Sequence, residues 1–281
     1  SMFFLIRGLL KVFIKVNDSL KQVGEIQEGE VIGEMGIISN MPRSTSIYST
    51  RKSILFKISK NNFDHLMRDY SHVLYELSKQ VILRLQKTMN VKKHQQKTTI
   101  FLILIHAGSG MRASKIGREI GHGIMNSLKK MSNTFFLSKE IVNNILSVKN
   151  INDELELSKK YYPLDNLITK LEKENDFIIL ECDPDYSQWT KWCIDLGDRL
   201  IFMLKPEHGF EYNSLLDSLN KVHKETPVHL QKKRQLIIYH NDKISFPKNT
   251  LSYLNELKPI NMHFHIEKGN TKDFDRVARI L

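Results

Sequence analysis

The spacing of hydrophobic positions changes near residue 59. Before that point, apolar and polar residues alternate over short runs, which is the two-residue period of half-buried strands. These strand candidates are 9–16, 23–26, 45–48 and 53–58. After it, apolar residues fall three and four positions apart over 63–67 and 71–92, which predicts a short helix and then a longer one with one apolar face. Residues 1–92 therefore predict a β-rich domain closed by a helix.

The chain beyond the basic segment 91–97 alternates strand and helix patterns, which is typical of an α/β domain. The strand candidates are 99–105, 134–137, 177–182, 200–204, 235–239 and 262–266. The helix candidates are 114–131, 139–148, 154–174, 188–196, 212–223 and 249–257. Residues 177–180 are continuously apolar, as in a parallel strand covered on both faces. We predict a doubly wound, Rossmann-like domain over 98–281.

Composition narrows the class of protein. The length of 281 residues favours two domains, and 41% hydrophobic with 26% charged residues is typical of a globular chain. Only Cys182 and Cys193 are present, so we expect a reducing, cytoplasmic environment without a disulfide framework. A net charge of +11 favours an anionic partner such as a nucleotide or a phospholipid surface.

Residues 29–47 carry the most informative motif. Two glycines precede an acid, Glu34, and a Pro-Arg pair at Arg43 leads through three hydroxyl residues into a strand. Glycine lets the backbone approach a phosphate closely, because it has no Cβ. Arginine offers paired charge-assisted hydrogen bonds to a phosphodiester, and a carboxylate can accept a ribose hydroxyl. The pattern therefore favours a nucleotide pocket.

This motif resembles the phosphate-binding cassette of cyclic nucleotide-binding domains, and its flanks resemble the surrounding β-roll. The resemblance implies that Glu34 binds the ribose 2′-hydroxyl, that Arg43 and Ser44 bind the cyclic phosphate of cAMP or cGMP, and that the helix from residue 71 is a lid or dimer helix. The backbone of Gly33 and Met35 would line the pocket. Thr45, which stands where the family usually has alanine, completes the candidate binding residues.

Other uses of the first domain stay open. The β-roll could have lost its ligand and serve as an interaction module, as a homodimer through the lid helix or at an anionic membrane. The basic residues 92–93 and 232–234 are the candidates for lipid contact. Nucleic acid is not expected, because an apolar strand follows the lid helix where a winged helix-turn-helix would stand.

Two further segments, 177–204 and 273–281, resemble the neuropathy target esterase family of patatin-like phospholipases. The resemblance implies a regulatory region that precedes a C-terminal patatin-like domain, which uses a Ser-Asp dyad with the serine in a G-x-S-x-G motif. The sequence contains no G-x-S-x-G, so we assign no catalytic residue to it. Residues 1–2 look like an expression remnant, and we expect the first domain to lack the family's first strand.

Two alternative sites are poorly supported. Residues 99–115 have the strand, glycine loop and helix order of a phosphate-binding turn, with Glu181 and Asp183 after a later strand, but the P-loop and dinucleotide motifs both fail. We therefore expect a degenerate NTPase-like scaffold that requires no cofactor. The two cysteines with His240, His263 or His265 lack the spacing of a zinc site. We expect the last two histidines to face the surface from a strand.

Overall fold

The computed structural model describes residues 1–16, 19–39, 42–43, 45–89, 98–107, 111–157, 161–206, 214–241 and 249–281. The chain divides into two compact units, Ser1–Thr98 and Thr99–Leu281. The predicted linker, 91–97, lies outside the described residues.

The first unit is a β-roll of two small antiparallel sheets. The described strands are β1 (Met2–Arg7), β2 (Leu10–Val16), β3 (Ser19–Ile26), β4 (Val31–Ile32), β5 (Ser46–Ser49) and β6 (Ile54–Ile58). One sheet has the order β4-β1-β6 and the other β3-β2-β5. Leu5, Leu10 and Ile26 are buried in one part of its core. Val23 is the extra residue of a bulge between β2 and β3, and its side chain is exposed.

Three helices complete this unit as described: α1 (Glu34–Ile38), α2 (Lys60–Asp69) and α3 (Ser71–Met89). The Ser59 hydroxyl accepts a hydrogen bond from the Asn62 amide at 3.2 Å, which caps α2 where the periodicity changes. Phe63 and Leu77 pack with Met2 and Val31 in the second part of the core. The predicted short and long helices are therefore both present.

The second unit is built on a six-stranded parallel sheet. Its strands are β7 (Ile100–His106), β8 (Thr134–Leu137), β9 (Phe177–Glu181), β10 (Arg199–Leu204), β11 (Lys233–His240) and β12 (Met262–Glu267). Their order is β12-β11-β10-β7-β9-β8. The described helices are α4 (Met111–Leu128), α5 (Lys139–Leu146), α6 (Ile151–Leu157), α7 (Tyr162–Glu174), α8 (Gln188–Leu196), α9 (Ser214–Glu225), α10 (Thr250–Glu256) and α11 (Thr271–Ile280).

Helices cover both faces of this sheet, so the prediction of a doubly wound α/β fold is confirmed. One face packs against α4 and α11, and the other against α5 to α10. After β7 the chain crosses to β8 on one side, whereas after β10 it continues to β11 on the other. Adjacent strands β7 and β10 thus form the topological switch point, whose carboxyl edge is the usual ligand crevice of such sheets.

Two glycines of helix α4 allow it to pack closely, one against the sheet and the other against α11. A Cβ on Gly121 would lie 2.9 Å from Leu104 Cδ1 and would overlap the ring of Phe136. A Cβ on Gly123 would lie 2.5 Å from Phe274 Cζ on α11. The rings therefore occupy the space that side chains at these positions would need.

The prediction of a single helix over 154–174 is wrong. The structure has two helices, α6 and α7, and Pro163 stands in the first turn of α7. Proline lacks the amide hydrogen and disfavours helical backbone in the residue before it, so it begins a helix more readily than it continues one.

Candidate functional site

The candidate pocket begins where β4 turns into α1. Gly33 has φ +78° and ψ 12°, a left-handed conformation that glycine adopts without steric cost. This turn buries the side chain of Glu34, which is 3% exposed, and points Met35 outward at 60% exposed. The Met35 side chain therefore faces solvent, and the contribution of its backbone to the pocket stays a prediction.

Arg43 returns to the same turn from ten residues further along the chain. Its Nη1 donates a hydrogen bond to the Gly33 carbonyl oxygen at 2.6 Å, and its Nη2 donates to the Ser1 carbonyl oxygen. A Cβ on Gly33 would lie 2.5 Å from Nη1, so the guanidinium occupies the space of the missing side chain. The structure thus brings Gly33, Glu34 and Arg43 together.

The remaining predicted binding residues, Ser44 and Thr45, directly follow Arg43 in the chain. Thr45 is exposed and directly precedes β5. Ser44 lies outside the described residues, so its predicted phosphate contact stays a prediction.

In the second unit, side chains of the protein bind Asp183, one of the two acids that a metal-dependent NTPase would use. Asp183 accepts from Lys139 Nζ at 2.8 Å, from the Ser187 hydroxyl at 2.7 Å and from Asn152 Nδ2 at 3.3 Å. Its carboxylate is therefore already neutralised and hydrogen-bonded within the protein. The glycine loop at 108–110 lies outside the described residues.

Glu181 instead faces His106 at the ends of β9 and β7. The two side chains are buried, with His106 Nε2 3.7 Å from Glu181 Oε1, and neither atom has a hydrogen-bond partner in the described part of the chain. Gly117 of α4 covers them, since a Cβ there would lie 2.8 Å from Glu181 Oε1. No pattern in the sequence indicated this contact, because it depends on which strands are neighbours in the sheet.

The cysteines do not combine with the histidines into a zinc site. Cys182 and Cys193 are both buried, and Cys182 follows β9, which is separated from β11 and its His240 by two intervening strands. Burial, and then contact with Cys182, raises the pKa of the Cys193 thiol well above its usual range. Trp189 and Trp192, which lie three residues apart on one face of α8, stack at 5.3 Å inside the core.

Two arrangements were not expected from the sequence. Arg234, predicted as part of a basic surface run, is 2% exposed and donates to Asn220 Oδ1 at 2.7 Å and to the Leu219 carbonyl oxygen at 2.6 Å. Burial lowers its pKa to about 10. His265, predicted to face the surface, is half-buried and contacts His240 Nε2 through its Nδ1 at 2.9 Å, whereas His263 is exposed as predicted.

No helix among the described residues combines the length and apolar character needed to cross a membrane.

Family models match both units of the chain. The model of the neuropathy target esterase family P-loop-like domain matches residues 118–279, which is more than half of the chain. The model of the cyclic nucleotide-binding domain matches residues 1–70. The predicted family resemblance and the predicted β-roll followed by a Rossmann-like domain are thereby confirmed.

Curated relatives align with nearly the whole chain. Patatin-like phospholipase domain-containing protein 6 of Mus musculus is 21% identical over 94% of this chain and 20% of its own length. Neuropathy target esterase sws of Drosophila grimshawi is 22% identical over 95% of this chain and 18% of its own. Lysophospholipase nte1 of Neurospora crassa is 21% identical over 97% and 18%.

The chain thus spans about a fifth of the length of these curated relatives. It aligns with a region of them rather than with the whole protein, and its two units match two domain models in succession. On this evidence the protein belongs to the neuropathy target esterase family.

Proposed function

We propose that the first unit binds a cyclic nucleotide, cAMP or cGMP, and that its occupancy controls an esterase domain elsewhere in the full protein. The observation that carries the binding proposal is the 2.6 Å contact between Arg43 Nη1 and the Gly33 carbonyl oxygen. It places a guanidinium against a left-handed glycine turn whose next residue is the buried Glu34. A cyclic nucleotide site needs three features: a cation for the phosphate, a backbone without a side chain for close approach, and an acid for the ribose hydroxyl.

The hydrogen-bond donors of Arg43 suit an anionic ligand. Its guanidinium donates to two neutral carbonyl oxygens, those of Gly33 and Ser1. A cyclic phosphate would offer the same donors a charged acceptor, and charge-assisted hydrogen bonds are about twice as strong as neutral ones. Glu34 would accept the ribose 2′-hydroxyl, with Met35 contributing backbone and Ser44 and Thr45 closing the phosphate end.

The control of an esterase is supported by the family and by the sequence together. The aligned relatives are named as phospholipase, lysophospholipase and esterase proteins, and this chain corresponds to about a fifth of their length. The chain itself contains no G-x-S-x-G. We therefore place the esterase chemistry in a C-terminal patatin-like domain, with ligand favouring one position of α3 and the α/β unit relaying that preference.

Calorimetric titration of the chain with cAMP and with cGMP tests binding. We expect one of the two to bind, and Arg43→Ala to weaken that binding about ten- to a hundredfold, since a hydrogen bond to a charged group contributes roughly 1.5–3 kcal/mol. Arg68→Ala is the matched control, because Arg68 is an exposed arginine on α2 whose Nε donates to the Asp64 carbonyl oxygen. It should leave the affinity unchanged.

Acyclic 5′-AMP and 5′-GMP distinguish a specific pocket from general attraction to a basic chain. Binding that is equally tight for the acyclic nucleotides, or equally weakened by Arg68→Ala, would contradict the proposed pocket. The absence of heat with both cyclic nucleotides would do the same.

A ligand-free interaction module is the second candidate function. Helix α3 exposes Tyr75, Ile82 and Leu83, the first two of which are seven residues apart and share a face. Such a face suits a partner helix or a second copy of the chain. Sedimentation velocity of the chain beside Tyr75→Glu/Ile82→Glu tests it: a dimer that the double variant abolishes supports this function, and a monomer at all concentrations rules out the homodimer.

A further inference from the structure

Helix α4 packs on two different parts of the sheet face beneath it. Its later turns lie on an apolar patch, where Ile120, Ile124 and Leu128 are buried in one cluster with Leu104 and Ile179 of the sheet. Its earlier turns lie over polar side chains at the carboxyl edge of the same strands. The two parts of the helix are therefore held by contacts of different kinds.

The polar patch consists of His106 and Glu181. His106 lies two residues after Leu104 on β7, and Glu181 lies two residues after Ile179 on β9, so both side chains point to the α4 side of the sheet. Gly117 of α4 lies directly above them, since a Cβ there would overlap the His106 ring and lie 2.8 Å from Glu181 Oε1. The helix backbone thus covers the pair.

Burial of this pair is unfavourable, because the two groups do not satisfy each other. His106 Nε2 and Glu181 Oε1 are 3.7 Å apart, which is too far for a hydrogen bond. Within the described ranges neither atom has another hydrogen-bond partner, and the side chains are 3% and 6% exposed. A buried polar atom without a partner forgoes the hydrogen bonds that water would provide. A movement that admits water here is therefore favoured by both groups.

The helix has a weak point at Gly117. Glycine is among the poorest helix formers and brings no side chain to the packing. Two residues further on, Glu119 Oε1 accepts a hydrogen bond from the buried Tyr239 hydroxyl at 2.5 Å. Among the side chains of α4 that the structure describes, Ile116 is partly buried, and the first fully buried one is Ile120. The strongest contacts of the helix therefore begin after Gly117.

We propose that residues 111–117 of α4 form a lid, which opens locally and admits water to His106 and Glu181 while the rest of the helix stays in place. The hinge lies at Gly117, since Glu119 and Ile120 hold the helix beyond it. Local opening of helix ends is a general property of folded proteins, and here the buried pair favours it. The open lid uncovers the carboxyl edge of β7 at the topological switch point, where sheets of this kind usually bind ligands.

Hydrogen exchange of the whole chain, followed by nuclear magnetic resonance, tests the lid. The amides of 116–118 hydrogen-bond back into the lid, because helical bonds reach four residues earlier. The reference is 167–169, which lie equally far into α7, a helix whose Leu164 and Ile168 are fully buried. We expect 116–118 to exchange at least about tenfold faster than this reference. Urea should change that rate little, because a local opening exposes little surface.

A double variant tests whether the buried pair drives the opening. His106→Leu/Glu181→Leu removes both polar atoms, and we expect exchange at 116–118 to slow about tenfold, because apolar side chains gain no hydrogen bonds from water. Lys130→Leu/Asp275→Leu is the matched control. It also removes an acid–base pair, with Lys130 Nζ 2.7 Å from Asp275 Oδ1, but this pair is accessible to solvent and lies beyond the other end of α4. It should leave exchange at 116–118 unchanged.

The comparison with α7 uses the unmutated chain, so it holds even if the double variant fails to fold. Equal protection of the amides at 116–118 and at 167–169 would overturn the lid. Exchange at 116–118 that is as fast in His106→Leu/Glu181→Leu as in the unmutated chain, or that slows equally in the control, would overturn the role of the buried pair.

Discussion

Gly117 and His106 occupy the same small space between α4 and the sheet. A Cβ on residue 117 would overlap the His106 ring and lie 2.9 Å from its Nε2. The absence of a side chain on α4 is therefore what allows a buried histidine at the end of β7, directly at the topological switch point.

We expect Gly117→Ala to destabilise the second unit by about 1–3 kcal/mol, the usual cost of inserting a methyl group into a filled space. Urea unfolding followed by far-ultraviolet circular dichroism measures it. Gly24→Ala is the control, since a Cβ there meets nothing within 4 Å. In the double variant Gly117→Ala/His106→Ala the two losses should add only in part, because the ring that causes the closest overlap is gone while Glu181 Oε1, 2.8 Å from the added Cβ, remains. Additive losses would mean that the ring is not the obstacle.

Asp183 connects three elements through one carboxylate. Asp183→Ala removes the acceptor of Lys139, Ser187 and Asn152, and we expect a loss of about 1–3 kcal/mol because these donors are partly buried. The same unfolding experiment measures it. Asp275→Ala removes the exposed pair with Lys130 and should leave the midpoint unchanged. Equal effects of the two variants would contradict a special role for Asp183.

The two tryptophans differ in their polar contacts and should respond differently to the same substitution. Trp189 is fully buried and its Nε1 donates to the Glu181 carbonyl oxygen at 2.8 Å. Trp189→Phe leaves that oxygen without its donor, so we expect a loss of about 1–3 kcal/mol. Trp192→Phe removes the same part of the ring system without breaking that hydrogen bond, so it should cost less than Trp189→Phe. Each variant keeps one tryptophan, so its fluorescence follows unfolding of this unit directly. A larger loss of stability in Trp192→Phe than in Trp189→Phe would contradict the role assigned to the Trp189 hydrogen bond.

Gly33 combines a left-handed backbone with the nearby Arg43, and the two effects are separable. Gly33→Ala should cost about 1–2 kcal/mol of backbone strain and also displace the guanidinium. Gly29→Ala is a matched control, because Gly29 has φ +85° and a Cβ there meets nothing within 4 Å. Both variants should lose similar thermal stability, but only Gly33→Ala should weaken cyclic nucleotide binding. Equal cyclic nucleotide affinity of the two variants would show that Arg43 does not contribute to the pocket.

The sequence predicted the features of the fold that depend only on the local pattern of residues. The apolar run at 177–180 and the spacing over 188–196 place β9 and α8 correctly to within a residue. The order of glycine, acid and arginine also singled out residues 29–47, within which Arg43 Nη1 contacts the Gly33 carbonyl oxygen. Contacts such as His106 with Glu181 could not be predicted, because β7 and β9 are neighbours only through the crossover topology. The prediction of one helix over 154–174 failed for a different reason. The apolar periodicity continues past Pro163, although this proline lies in the first turn of a new helix.

The closeness of α4 to the sheet also constrains how this domain can vary over evolution. Gly121 packs against Phe136, and Gly123 packs against Phe274. In each pair the ring fills the space of the missing side chain. A larger residue at either helix position is compatible with the same backbone only if the opposing ring is replaced by a smaller group. Among homologues, positions 121 and 136, and positions 123 and 274, should therefore exchange bulk as pairs, so that the volume between α4 and its neighbours, the sheet and α11, is inherited even where the residues are not.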